Sequence, residues 1–176
     1  MGFLKGKTAI ITGAGRAVLS DGKCGSIGYG IATAYAKEGA NLVITGRNEQ
    51  KLLDAKAELE KKYKVKVLTL VADINAGADN EAVANMVVAE TMKAFGRIDV
   101  LINNAGISEF SLFDKISDQS WNSMINTNLS GAFFITREAV KSMISQKHGR
   151  IINIGSIWGK VGASCEVHYS AAKAGI

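Results

Sequence analysis

The segment Thr8-Ala9-Ile10-Ile11-Thr12-Gly13-Ala14-Gly15-Arg16, continued by Ser26-Ile27-Gly28-Tyr29-Gly30 and then by Asn41-Leu42-Val43-Ile44-Thr45, decides how this chain folds. Thr8 to Thr12 is a short apolar run ending in a glycine turn, the pattern of a buried strand. Gly28 to Glu38 sets Ile31, Ala32 and Tyr35 on one helical face, and Asn41 to Thr45 is a second apolar run. Strand, helix and strand complete one βαβ unit. Glycines between its first strand and its helix let the backbone approach a diphosphate, toward which the helix amides point.

The same unit repeats along the chain. Glu49 to Lys62 reads as a charged helix, Val65 to Val71 as the third strand, Asp79 to Phe95 as a helix and Val100 to Asn103 as the fourth strand. A longer helical stretch runs from Asp118 to Gln146, interrupted near Gly131, and Arg150 to Ile154 is the fifth strand. This alternation predicts an α/β fold: a doubly wound parallel sheet of the Rossmann type between two helical layers, with residues 1–176 forming one domain. Right-handed crossovers bring every strand C-terminus to one edge, where ligands bind in such sheets. Gly13 to Arg16, Arg47, Asp73, Asn104 to Gly106, and Ser156 follow the five strands in turn. One glycine turn alone is weak evidence, but five successive strand ends carrying glycine or polar groups describe a binding edge.

Composition sets the outer bounds. With 47% hydrophobic and 21% charged residues the chain is of the ordinary globular kind, not a disordered one. No apolar run approaches the roughly 20 residues of a membrane span, and the N-terminus lacks a signal-peptide pattern, so a cytoplasmic protein without membrane contact is expected. The net charge of +5 is scattered among acidic residues, which argues against nucleic acid as a partner. Cys24 and Cys165 have neither a Cys-x-x-Cys spacing nor a histidine cluster, so no metal site is expected. His148 and His168 read as structural.

In Tyr169-Ser170-Ala171-Ala172-Lys173, positions i and i+4 of a helix share one face, directing a phenol and an ammonium into one pocket. A phenol is a poor base at neutral pH, and a neighbouring ammonium stabilises the phenolate. Ser156, thirteen residues earlier, offers a hydroxyl to an oxygen where negative charge develops. At the end of the second strand Arg47 stands nineteen residues beyond Gly28, near where a dinucleotide fold reads the adenosine ribose. A guanidinium there suits a 2′-phosphate better than a 2′-hydroxyl, favouring NADP(H) over NAD(H), with Arg16 assisting from the first turn.

These motifs together resemble the short-chain dehydrogenase/reductase family, and within it the 3-oxoacyl-acyl-carrier-protein reductase-like members. The resemblance rests on Tyr-x-x-x-Lys, the serine spacing, Asn103-Asn104-Ala105-Gly106 and the Thr12-Gly13 turn. It implies a nicotinamide oxidoreductase acting on a ketone or secondary alcohol, with Tyr169 as acid/base, Lys173 also holding the nicotinamide ribose, and Asn128 anchoring a water relay. By the same resemblance Asp73 reads the adenine amino group beside Ile74, and Asn104, Ala105 and Gly106 line the cofactor. The full cofactor set is Gly13, Arg16, Ser26, Ile27, Gly28, Arg47, Asp73, Ile74, Asn104, Ala105, Gly106, Tyr169 and Lys173. Trp158 and the segment to Val167, with Phe110 to Phe113, are expected to wall the substrate pocket, and a homo-oligomer, tetramer or dimer, is implied.

Two departures matter. The family turn is Thr-Gly-x-x-x-Gly-x-Gly, whereas here nine residues, Ala17 to Gly25, are inserted and Ser26 replaces the middle glycine. The lengthened turn is similar to that of enoyl-acyl-carrier-protein reductases, which reduce a carbon-carbon double bond; the four-residue tyrosine-lysine spacing favours carbonyl chemistry. A third alternative is a sensor or scaffold that binds NADP without turnover. The chain also stops three residues after Lys173 and contains no proline, against an average of about 5%. This is the expected appearance of a domain lacking its C-terminal strands and substrate loop.

Overall fold

The computed structural model describes residues 2–75 and 77–176. Five strands, β1 (Thr8–Ile11), β2 (Asn41–Gly46), β3 (Val67–Val71), β4 (Val100–Asn103) and β5 (Arg150–Asn153), form one parallel sheet in the order β3-β2-β1-β4-β5. Helices α1 (Ile27–Lys37), α2 (Glu49–Tyr63), α3 (Asn80–Phe95), α4 (Asp118–Ile125) and α5 (Gly131–Ser145) connect them, and α6 (Trp158–Val161) and α7 (Val167–Gly175) follow β5. Among the described residues no helix is long and apolar enough to cross a membrane, and no group of three His, Cys, Asp or Glu could hold a metal ion.

The strands read as continuous apolar runs because both faces of the sheet are covered. Successive side chains alternate between the two cores: Ile11, Leu42 and Ile44 pack with Tyr29, Leu52 and Leu59, whereas Ile10, Val43 and Leu101 pack with Ala84, Val87, Ile135 and Met143. β5 forms one outer edge of the sheet, and all four of its residues are exposed. The α2 helix starts on an Asn48 side chain that accepts from the Lys51 amide and ends at a left-handed Lys64, so β3 begins two residues later than the apolar run suggests.

The long helical stretch is interrupted next to Gly131, as expected. Gly131 is itself helical, and the irregularity lies before it, as a π-helical turn over Asn126–Ser130 between α4 and α5. Three short elements, the 3-10 turns Gly77–Asp79 and Phe113–Lys115 and the helix α6, carry too few residues for a periodic signal.

At the N-terminal end of the sheet, opposite the binding edge, the buried Asp99 ties β1 to the approach of β4. Its carboxylate accepts from the Thr8 amide at 2.9 Å, from Arg97 Nη2 and Nε at 2.6 and 2.7 Å, and from Lys7 Nζ at 3.3 Å. Burial works to raise its pKa, but the bonds from Arg97, Thr8 and Lys7 outweigh burial and hold it below the ordinary carboxylate value. A depressed folded-state pKa contributes stability above the unfolded value of about 3.9, and this is lost as pH falls through the folded value. Asp99→Asn is therefore expected to cost about 2 kcal/mol at pH 7 and to lose less stability than the wild type below about pH 4. Urea unfolding at pH 7 and pH 3 measures both.

Candidate active site

The strand order reverses between β1 and β4, and a crevice opens at their C-terminal ends. A cavity of about 350 Å³ lies there, within the range of small-molecule sites. Its walls are Gly13 after β1, Thr45 to Arg47 at β2, Ala72 to Ile74 after β3, Asn104 to Ile107 after β4, the start of α1 from Ser26 to Gly28, and Thr127. Gly13 is left-handed at φ 68°, and a Cβ at Gly28 would run into the Gly13 carbonyl oxygen and stand 2.5 Å from Asn104 Nδ2. Strand end and helix start are thus in contact, which only glycine permits. This is the cradle a diphosphate needs.

The insertion closes on itself and leaves the cavity clear. Val18 and Cys24 form an antiparallel bridge, the Leu19 amide donates to the Lys23 carbonyl and the Gly25 amide to the Ala17 carbonyl, both at 2.8 Å. The chain therefore re-enters at Ser26, whose side chain accepts from the Tyr29 amide and caps α1. A serine replaces the middle glycine because it sits in extended geometry, φ −147° and ψ 151°, where a side chain is welcome. The two arginines diverge. Arg47 is exposed and lines the cavity, whereas Arg16 lies outside the lining, with its Nε 2.7 Å from Glu58 Oε2 on α2.

Two asparagines do structural work at the edge. Asn104 Nδ2 donates to the carbonyls of Thr12 and Gly13 at 2.8 and 3.2 Å, and Thr12 Oγ1 accepts from the amides of Asn104 and Ala105, both at 3.0 Å. The buried Asn128 lies within the π turn. Its Nδ2 donates to the carbonyls of Ile107 and Met124, each at 3.0 Å, and its Oδ1 accepts from the Ile107 amide at 3.2 Å. Asp73 is exposed, with its Oδ1 accepting from the Asn75 amide at 3.0 Å; the buried Ile74 lies beside it in the wall.

Beyond Gly106 the wall meets α7. A Cβ at Gly106 would stand 2.5 Å from Asn128 Oδ1 and 3.6 Å from Lys173 Nζ, which brings glycine, asparagine and lysine to one point. Lys173 is buried, donates to the Ile154 carbonyl at 2.8 Å and lies 5.8 Å from the centre of the Tyr169 ring. Burial lowers its pKa from the ordinary lysine value. Ser156 lines a second hollow with Lys173, and its Oγ accepts from the Trp158 amide at 3.2 Å. Among the described residues no hydrogen bond joins Ser156 to Tyr169.

Several residues with structural or lining roles lie outside the predicted site set. Ser108 Oγ donates to the buried Glu166 at 2.5 Å and the Ser111 amide to the Cys165 carbonyl at 2.8 Å, fastening the loop after β4 to the segment before Tyr169. Thr12 and Thr127 complete the edge. A polar residue on either side of a strand end was the only available signal, and it is too common to single out a pair 58 residues apart.

Residues 7–176 match the short chain dehydrogenase family, and the chain belongs to it. It is 45% identical over 177 residues to a 12α-hydroxysteroid dehydrogenase of a Clostridium species, covering 100% of this chain and 65% of that relative. It is 35% identical over 172 residues to the 3-oxoacyl-acyl-carrier-protein reductase FabG of Escherichia coli, covering 98% and 64%. Among solved structures, a short chain dehydrogenase from Mycobacterium smegmatis superposes with a TM-score of 0.88 at 29% identity, covering 99% of this chain and 68% of that one. An NAD+-bound xylitol dehydrogenase superposes at 0.87 and 28%, covering 98% and 62%. The chain thus spans about 65% of the length of the curated relatives it matches.

Asn128→Asp removes two donors and turns a carboxylate toward the Met124 and Ile107 carbonyls. It is expected to cost about 2–3 kcal/mol, read as a lower Tm. Gly28→Ala is expected to abolish dinucleotide binding, measured by titration calorimetry, because the added methyl must separate α1 from the Gly13 turn.

Proposed function

We propose that the protein is an NADP(H)-dependent oxidoreductase that moves hydride between the nicotinamide and a ketone or secondary alcohol, with Tyr169 as acid/base. The observation that carries this reading is the convergence of Lys173 and Asn128 on Gly106, which lines the cavity, with the centre of the Tyr169 ring 5.8 Å from the lysine nitrogen. Gly13, Gly28 and Ser26 would receive the diphosphate, Arg47 the 2′-phosphate, and Asp73 and Ile74 the adenine. When bound, the nicotinamide supplies or accepts the hydride.

The protein's own residues do the proton work. In reduction the Tyr169 hydroxyl gives its proton to the forming alkoxide, and the Lys173 ammonium stabilises the phenolate left behind. Lys173 is suited to this because its bond to the Ile154 carbonyl fixes the charge while burial strengthens its field. Ser156 donates to the substrate oxygen, and Asn128, fixed by Ile107 and Met124, braces the lysine side of the pocket. The exposed Phe110, Leu112, Phe113 and Trp158 supply apolar walls suited to a bulky apolar ketone, in keeping with the hydroxysteroid and 3-oxoacyl substrates named for the relatives. Self-association is part of the same reading, supported by the exposed Phe133 and Ile144 on α5.

The test is consumption of NADPH, and separately NADH, against oxosteroids, 3-oxoacyl thioesters and enoyl thioesters. Ketone-dependent loss of NADPH that falls on the order of 100-fold or more in Tyr169→Phe is expected. Arg47→Ala is expected to raise the KM for NADPH about ten-fold and to leave that for NADH unchanged. Turnover of enoyl thioesters alone, the reading the lengthened turn favours, would replace carbonyl chemistry. Tight binding without turnover of any of them would make the protein a sensor.

A further inference from the structure

Two arginines reach the adenosine end of the crevice along the backbone, and only one of them faces it. Arg47 lines the cavity, is exposed, and makes no side-chain hydrogen bond or ion pair among the described residues. Arg16 starts from the same place: its amide donates to the carbonyl of Lys51, in the first turn of α2, at 2.8 Å. Its guanidinium nevertheless ends on Glu58, with Nε 2.7 Å from Oε2. Lys51 and Glu58 are seven residues apart, two helical turns or about 10 Å along the axis. Because α2 joins two parallel strands it runs back against them, so Glu58 lies away from the edge where the cavity opens. The arginine is drawn down the flank of the helix and out of the cavity wall.

We propose that Glu58 tunes cofactor selectivity: by pairing with Arg16 it withholds a second guanidinium from the 2′-phosphate of NADP(H) and leaves that group to Arg47. The inference rests on the NADP(H) reading above. Both partners are about two-fifths exposed, at 36% and 40% for their side chains, so the pair is a weak one. A 2′-phosphate carries close to two negative charges and competes with a single carboxylate for the same guanidinium. Whatever free energy holds Arg16 on Glu58 is therefore subtracted from NADP(H) binding, and NAD(H), which has no phosphate there, does not feel it.

Glu58→Ala acts at a half-buried position of α2, where alanine is the best helix former, and it also takes a carboxylate from the hydroxyl of the buried Tyr29. Titration calorimetry of the protein with NADP+ and with NAD+ is expected to show NADP+ bound about two- to five-fold more tightly by Glu58→Ala, with NAD+ unchanged. The gain is expected to vanish when Glu58→Ala is made in an Arg16→Ala background, because the coupling runs through that guanidinium. Unchanged or weaker NADP+ binding, equal tightening toward both cofactors, or a gain that survives in the Arg16→Ala background would each overturn the proposal. The wild-type ratio of the two affinities tests the NADP(H) reading separately, since a protein without preference for NADP+ would still reveal whether Glu58 shifts the ratio.

Discussion

The stitching of β1 to β4 by Thr12 and Asn104 is the interaction on which the rest of the site depends. These strands part at the switch point, and the crevice exists only because their backbones diverge there. Diverging strands leave unpaired amides and carbonyls, which are costly unless another group bonds them. One hydroxyl and one carboxamide take up the amides of Asn104 and Ala105 and the carbonyls of Thr12 and Gly13. The strand ends are thereby fixed at a separation that leaves room for a ligand, and the glycine turn, the α1 amides and the Gly106 wall all inherit their positions from that fixation.

From this anchor the site is assembled by bonds that each cross between elements. Asn128 ties the π turn to the loop after β4, Ser108 and Ser111 tie that loop to the segment before α7, and Lys173 ties α7 to the end of β5. The lysine nitrogen is therefore anchored to the residue that follows β5 as well as carried by its own helix. Phe110, Leu112, Phe113 and Trp158 are left exposed in the segments that follow β4 and β5, whereas the carboxamide of Asn128 is fully paired. Fixed polar groups at the strand ends and exposed apolar side chains in the segments beyond them suit a scaffold that keeps one chemistry and varies its substrates.

Much of the fold was legible in the sequence because its signals are local. A buried parallel strand is a short, mostly apolar run, and Thr8 to Ile11 and Val100 to Asn103 fall within a residue of where those runs lie. The tyrosine-lysine pair was legible because i and i+4 share a helical face whatever the surroundings. The direction of Arg16 is not legible in the same way: its place in the turn is local, but its side chain ends on a carboxylate 42 residues away. The self-closing insertion and the Ser108–Glu166 fastening escaped for the same reason. Each is a partnership between residues whose types are individually unremarkable.

The π turn over Asn126–Ser130 makes the spacing of this region a quantity in its own right. A π turn holds one residue more than the α-helix around it, and that surplus residue is what lets α4 and α5 run on while Asn128 faces inward. Loss of one residue from the turn would rewind it to regular helix with α5 facing much as before, because five residues in the wider π geometry turn the chain about as far as four in α geometry. Ile135, Ala139 and Met143 would stay buried against α3 and the sheet, whereas Asn128 would lose the place from which it bonds Ile107 and Met124. In this stretch a one-codon deletion would therefore strike the site and spare the core, the reverse of what a deletion within a regular helix does.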